Sequence, residues 1–206
     1  TALFVTSLIT ANIVAVKLID LFGLIVPAAV IIFPLSYIFG DILTEVYGYA
    51  RARLVIWLGF ICNLLVVLAI LAAQALPPAE VWSGQAAFEQ ILGYAPRLLI
   101  ASFAAYLVGE FANSFILARL KVATGGRHLW LRTISSTIVG QGLDSAIFVT
   151  VAFIGTTPDA VLVSVVLAQW LVKTTYEVLA TPLTYWVVNT LKRIEGVDHF
   201  DVDTDF

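Results

Sequence analysis

The chain has one cysteine, two histidines and little charge. Of its 206 residues only 12% are Asp, Glu, Lys or Arg, against about 25% in a typical soluble domain. A soluble core of this size needs a more polar surface to cover it, so the shortage of charge excludes an ordinary soluble domain. The lone Cys62 excludes an internal disulfide and a cysteine-based metal cluster. It sits inside an apolar run and reads as a packing residue. His128 lies in a basic connection and His199 in the tail, neither placed for catalysis within a bundle. The motifs GxxxxGK[ST], HExxH, GxSxG and GxGxxG are all missing. The chain therefore shows no ATP-driven engine, zinc-protease helix, nucleophile elbow or dinucleotide loop of its own.

What is there is apolar: 61% of the residues are hydrophobic and the mean hydropathy is +0.99. A spanning helix needs roughly 20 mostly apolar residues. Six runs qualify: Leu3 to Ile19, Leu24 to Tyr47 (broken by Pro27 and Pro34), Leu54 to Leu76, Leu98 to Leu120, Trp130 to Ile154, and Ala160 to Leu191 with Pro182 near its end. The expected fold is an all-α polytopic membrane protein, a bundle of six transmembrane helices. Residues 1–193 form that domain and 194–206 an acidic cytoplasmic tail. In the largest external connection, Pro77 to Pro96, GQAAFEQILGY reads as a short interfacial helix packing Phe88, Ile91 and Leu92.

Cytoplasmic loops carry an excess of Lys and Arg. Arg51 and Arg53, then Arg119, Lys121, Arg127 and Arg132, then Lys192 and Arg193 mark alternate ends of the runs. The other ends hold Arg97 with Asp20, Glu80, Glu89 and Asp159. Both termini are therefore expected in the cytoplasm, with Lys17 the one discordant charge. No signal peptide is read. The chain opens directly in apolar sequence, so a short upstream piece is expected to precede it. The tail run DVDTD, Asp201 to Asp205, resembles the start of an EF-hand loop but lacks the following glycine. It reads as a solvated acidic tail or a plug near the cytoplasmic mouth.

Ionisable groups at membrane depth are costly and are functional candidates by default. At about 1.5 Å per residue, Asn12, Asp41, Asn63, Glu110, Asp144 and Lys173 fall at similar depths in six different runs. Tyr37, Asp41 and Glu45 share one helix face. So do Tyr106, Glu110 and Asn113; Thr137, Gln141 and Asp144; and Gln169, Lys173, Tyr176 and Glu177, with Trp170 beside them. Interhelical hydrogen bonds would explain single polar residues. Agreement in depth points to a shared polar cavity near the midplane, where carriers place their sites. Five acids (Asp41, Glu45, Glu110, Asp144, Glu177) face one clearly buried base, Lys173, which has Glu177 four residues on as a partner. Glu45 is expected to reach water or to pair with Arg51 or Arg53. The remaining acids must be protonated, lie in a wet cavity, or meet a cationic or hydrogen-donating ligand. A carboxylate accepts two parallel donors, as a guanine-like edge supplies, and Tyr37, Trp170 and Tyr176 offer faces for a flat ring.

The stretch FPLSYIFGDILTEVYGYARAR, residues 33–53, resembles the signature of the queuosine precursor transporter family, a vitamin-uptake-like family. The likeness continues in ANIVAVK (11–17), ASFAAYLVGEFANSFILARLK (101–121), LWLRTISSTIVGQGLDSAIF (129–148), KTTYEVLATPLTY (173–185) and EGVDHFDVDTDF (195–206). The resemblance implies a six-helix importer of 7-deazaguanine queuosine precursors in the bacterial inner membrane. It serves tRNA-modification salvage, with the cyano and aminomethyl bases, or queuine, as substrates. It also implies functional weight on Asn12, Asp41, Glu45, Glu110, Gln141, Asp144, Lys173 and Glu177. Asp144 and Glu110 would meet the ring donors, and Gln141, Asn12 and Lys173 the carbonyl edge. Asp41 would take the ring substituent or a proton, with Glu45 sharing a coupling or gating role.

The expected partners are the small deazapurine and membrane lipid, with room for a homodimer and with no nucleic acid, metal or cofactor. Two other readings compete. A substrate-binding subunit that borrows an ATPase partner would dock through small residues such as Ala11 and Ala15. An intramembrane enzyme would need a nucleophile–base set or metal cluster, which the chain lacks.

Overall fold

The computed structural model describes residues 1–21, 24–93, 96–155 and 158–204. Expectations on Tyr94, Asp205 and Phe206, and on the side chains of Arg97 and Asp159, lie outside the described part. Seven helices follow in chain order: α1 (Ala2–Val14), α2 (Phe33–Tyr47), α3 (Tyr49–Ala75), α4 (Gln85–Leu92), α5 (Pro96–Ala123), α6 (Leu129–Phe153) and α7 (Asp159–Glu195). Between α1 and α2 stand two short strands, β1 (Leu18–Leu21) and β2 (Leu24–Pro27), and a 3-10 turn, Ala28–Ile31.

Five helical segments among the described residues are long and apolar enough to cross a membrane, the first of them Ala28–Tyr47. The chain is a multi-pass membrane protein, and its first two apolar runs are not the continuous helices expected. α1 ends at Val14, short of Ile19, where the first apolar run was expected to end. The chain leaves the helix before Lys17 and forms an antiparallel hairpin in which Leu18 pairs with Pro27 and Ile19 with Val26. The run expected to be helical from Leu24 is therefore a strand and a 3-10 turn first. β-branched Ile25 and Val26 precede Pro27, and a residue before proline is pushed out of the α region. Pro34 falls in the first turn of α2, where its missing N–H costs nothing; it starts the helix rather than softening it.

The bundle is inverted relative to a soluble protein. Leu54, Leu58, Ile61, Leu65 and Leu68 on α3, and Leu167, Leu171, Leu179 and Leu183 on α7, are exposed. Asp41, Glu45, Glu110, Gln141 and Glu177 are buried. α5 and α6 approach backbone to backbone. A Cβ on Gly140 would stand 2.9 Å from the Gly109 carbonyl oxygen, and one on Gly109 3.0 Å from that of Gly140. Small residues permit such close approach where lipid supplies no hydrophobic drive. On α3, Phe60 meets Phe103 of α5 at 5.1 Å between ring centroids. The short helix expected in the external connection is present as α4, with Phe88 and Leu92 half-buried and Ile91 exposed.

The basic ends expected to share one side do converge. At that end, His199 donates its N–H to the Val46 carbonyl at 3.1 Å. Both Asp201 carboxylate oxygens accept the Tyr49 N–H at the start of α3, each at 3.0 Å. Asp201 is buried, so the tail is anchored at that residue, while His199, Phe200, Val202 and Asp203 remain exposed.

Candidate substrate cavity and the acids beneath it

Three polar layers stack between the hairpin end and the basic end. The outermost is a cavity of about 120 Å³ between α1, α2, α5, α6 and α7. Asn12, Ser102, Asp144, Gln169 and Lys173 supply its polar lining, and Leu8, Phe33, Tyr106 and Phe148 are among its apolar walls. Lys173 donates to Asp144 at 2.5 Å across α6 and α7. Its ammonium also lies 4.5 Å from the Phe33 ring centroid, a cation–π placement. The expected pairing of Lys173 with Glu177 is therefore corrected. Lys173 reaches α6, whereas Glu177, one turn further, faces the charge of Asp41 on α2.

One turn toward the basic end lies a layer of acids. Asp41 accepts a hydrogen bond from Asn113 at 2.6 Å. Among the described residues, its other oxygen and all four oxygens of Glu110 and Glu177 have no hydrogen-bond partner. Glu110 is fully buried, and one of its oxygens is 3.1 Å from where a Cβ on Gly40 would stand. The charges of Asp41, Asp144 and Glu177 all bear on it. Tyr37 and Gln141 are fully buried beside these acids, and the Tyr37 hydroxyl and both Gln141 amide atoms are likewise without partners among the described residues. Tyr37 connects the two layers, since its hydroxyl and the Asp144 Cβ both crowd the face of Gly109, 2.6 Å and 2.9 Å from the point a Cβ would take.

The third layer is a knot of charge at the basic end. Glu45 accepts from Arg132 at 2.7 Å and from Lys192 at 2.8 Å, and Lys121 lies 3.7 Å away. Lys121 also donates to the Glu45 carbonyl at 2.5 Å. Arg132 in turn donates to the Arg127 carbonyl. Glu45, Lys121 and Arg132 are each 1% exposed, so the expectation that Glu45 reaches water or pairs with Arg51 or Arg53 is corrected. Arg51 and Arg53 are exposed on α3, and the partners come instead from α5, α6 and α7. Asp198 joins through Lys121 at 2.6 Å and Lys192 at 2.9 Å. Partial burial raises its carboxyl, but the two lysines outweigh this and hold it below the usual carboxylate range.

The sequence-derived site residues thus divide. Asn12, Asp144 and Lys173 line the cavity; Tyr37, Asp41, Glu110, Gln141 and Glu177 lie beneath it; Glu45 closes the basic end. Trp170 donates to the Ile138 carbonyl at 2.9 Å, and Tyr176 packs against the cluster of Ile38, Ile42 and Val46; neither lines the cavity. Lys121 and Arg132 as buried partners were not legible, because each sits at a helix end that reads as loop flank. Their signal was the surplus of five acids over one buried base.

A family model described as "Putative vitamin uptake transporter" matches residues 27–187. The chain belongs to that family. Within the family match fall all three layers except the cavity residues Leu8, Asn12 and Ala15, Lys192 and the tail. Among relatives of the vitamin uptake family, a Bacillus subtilis (strain 168) protein named "Probable queuosine precursor transporter" is 30% identical over 178 residues, 86% of this chain and 78% of that one. An Escherichia coli (strain K12) protein named "Queuosine precursor transporter" is 29% identical over 128 residues, 62% of this chain and 55% of that one. No solved structure matches the chain.

Proposed function

We propose that the protein imports 7-deazaguanine queuosine precursors across a bacterial inner membrane, with its basic end in the cytoplasm, and alters no bond in them. The observation that carries this reading is the Asp144–Lys173 pair in the cavity, taken with the names of the relatives. A deazaguanine presents a ring N–H and an exocyclic amine as parallel donors, next to a carbonyl acceptor. Asp144 accepts the two donors, while Lys173 turns from Asp144 to the carbonyl. The ion pair thus holds the empty site neutral and exchanges into ligand contacts when the base arrives. Phe33, Tyr106 and Phe148 supply flat apolar walls, and Asn12 and Gln169 remaining polar contacts. The Glu45 knot is the closed inner gate of an alternating-access cycle, because one carboxylate there cinches α2, α5, α6 and α7.

A subunit that borrows an ATPase partner has less support. Ala11 is buried and Ala15 lines the cavity, so the small face of α1 points inward rather than toward a docking partner. Binding of a panel of deazaguanines to purified protein tests the site. Asp144→Asn and Lys173→Ala each lose binding while the protein still unfolds at a normal temperature. Wild-type affinity in both variants refutes the assignment. Uptake by the chain alone in liposomes supports the carrier, whereas tight binding without uptake supports the ATPase-linked subunit.

A further inference from the structure

The acids beneath the cavity have no part in holding the substrate as described above, yet they are the most expensive groups in the bundle. Asp41, Glu110 and Glu177 are at most 1% exposed. The cations around them are engaged elsewhere. Lys173 is held by Asp144, and Lys121, Arg132 and Lys192 are held by Glu45 and, for the two lysines, Asp198. Against the three acids stand, from α2, Tyr37 and Glu45; from α5, Tyr106 and Asn113; from α6, Asp144; and from their own elements, one another. Several carboxylates brought together out of water cannot all stay ionised. A ligand of positive charge is therefore called for. The proton is the smallest such ligand, and a single carboxyl oxygen suffices to hold it.

The Tyr37 hydroxyl, which has no hydrogen-bond partner among the described residues, supplies the route. It is fully buried and stands between Asp144, which faces the cavity, and the acid layer. Glu110 is one helical turn from Tyr106, which lines the cavity floor. On the other side, Thr44 bonds Ser114 at 3.1 Å, and beyond it the Glu45 knot is shut. The same acids thus lie between the cavity and the closed gate.

We infer that Glu110, with Asp41 and Glu177, is a proton-binding site that couples substrate import to proton entry, loaded from the cavity past Tyr37 and emptied when the Glu45 knot opens. This rests on the transporter reading above and moves coupling away from Glu45, whose charge three cations already balance. A proton enters from cavity water, resides on a carboxyl oxygen of the cluster, and leaves to water on the cytoplasmic side; no bond in the substrate changes.

The test uses the full chain in liposomes with the membrane potential clamped, a labelled cyano-deazaguanine outside, and a pH dye inside. For one proton per substrate, an inward gradient of one pH unit drives accumulation up to about tenfold, and the interior acidifies only when substrate is present. In Glu110→Gln, and in Glu177→Gln as a second variant, uptake no longer depends on the gradient and the substrate-linked acidification disappears. Wild-type net uptake of labelled base that ignores the pH gradient, or follows a sodium gradient instead, overturns the inference and leaves the transporter reading standing. Gradient-driven accumulation intact in both variants overturns the assignment of residues. Wild-type protein with neither exchange nor uptake overturns the transporter reading, and the inference with it.

Discussion

Glu45 is held by cations from three helices, and its loss should show first in stability. Removing one partner from a buried charge network costs about 3–5 kcal/mol, because the charges left behind are uncompensated. Glu45→Gln is expected to lower the unfolding temperature in detergent well below that of Arg51→Gln, whose side chain is exposed. Equal effects in the two variants would refute the buried knot. Tyr106 donates to the Ile56 carbonyl at 2.8 Å within the bundle. Tyr106→Phe should cost about 1 kcal/mol, measured by the same melt. Asp198 gives the knot a pH dependence of known sign. Its carboxyl is held down in the folded state, so its contribution is complete above the ordinary carboxylate value and fades as pH falls through the lowered one, below about pH 4. Protease cleavage of the tail should accelerate over that window in the wild type and change less in Asp198→Asn.

At the scale of elements, the contact between α5 and α6 sets the distance between the layers' donors. Gly140 has Asn113 Cβ 2.8 Å and the Gly109 carbonyl 2.9 Å from its would-be Cβ, while Gly142 has only ordinary contact with Trp170 at 3.4 Å. Overpacking costs about 1–3 kcal/mol. Gly140→Ala should therefore destabilise the fold and misplace Asp144, whereas Gly142→Ala should be neutral or slightly stabilising, since Ala is the better helix former. Thermal melts of the two variants check this, and the reverse order would refute the close approach. The helices α3, α5, α6 and α7 were legible to within a few residues because long apolar runs leave no other way to satisfy the backbone in lipid. The start of α2 was not. Hydropathy does not distinguish a strand from a helix in a short apolar run, and Leu18–Leu21 pairs with Leu24–Pro27 as two short strands.

For the whole molecule, the anchored tail and the knot together close the basic end. Lys121 bonds Asp198 and the His199 carbonyl, each at 2.6 Å, and stands 4.7 Å from the Phe200 ring centroid. Asp201 caps α3. Removing the tail after Gly196 takes all of these away at once. In a Cys62→Ser background, a cysteine placed at buried Ser114 should resist a membrane-impermeant maleimide while the tail is present and react once it is removed. Reaction at the same rate in both would show that the tail closes nothing.

Hydropathy and charge alone settle that the chain spans a membrane several times, and they predict that its basic ends share one side. These follow from the cost of bare backbone and bare charge in lipid, which depends on residue type and position along the helix. Which acid meets which base is different. Asp144 with Lys173, Glu45 with Arg132 and Lys192, and Asp201 with the first turn of α3 join residues between 29 and 152 positions apart. Helical spacing says which face a side chain occupies, but not which neighbouring helix that face meets. Only the packing of the helices decides that pairing, and with it the division of the buried polar residues into a cavity, an acid cluster and a knot of charge at the basic end.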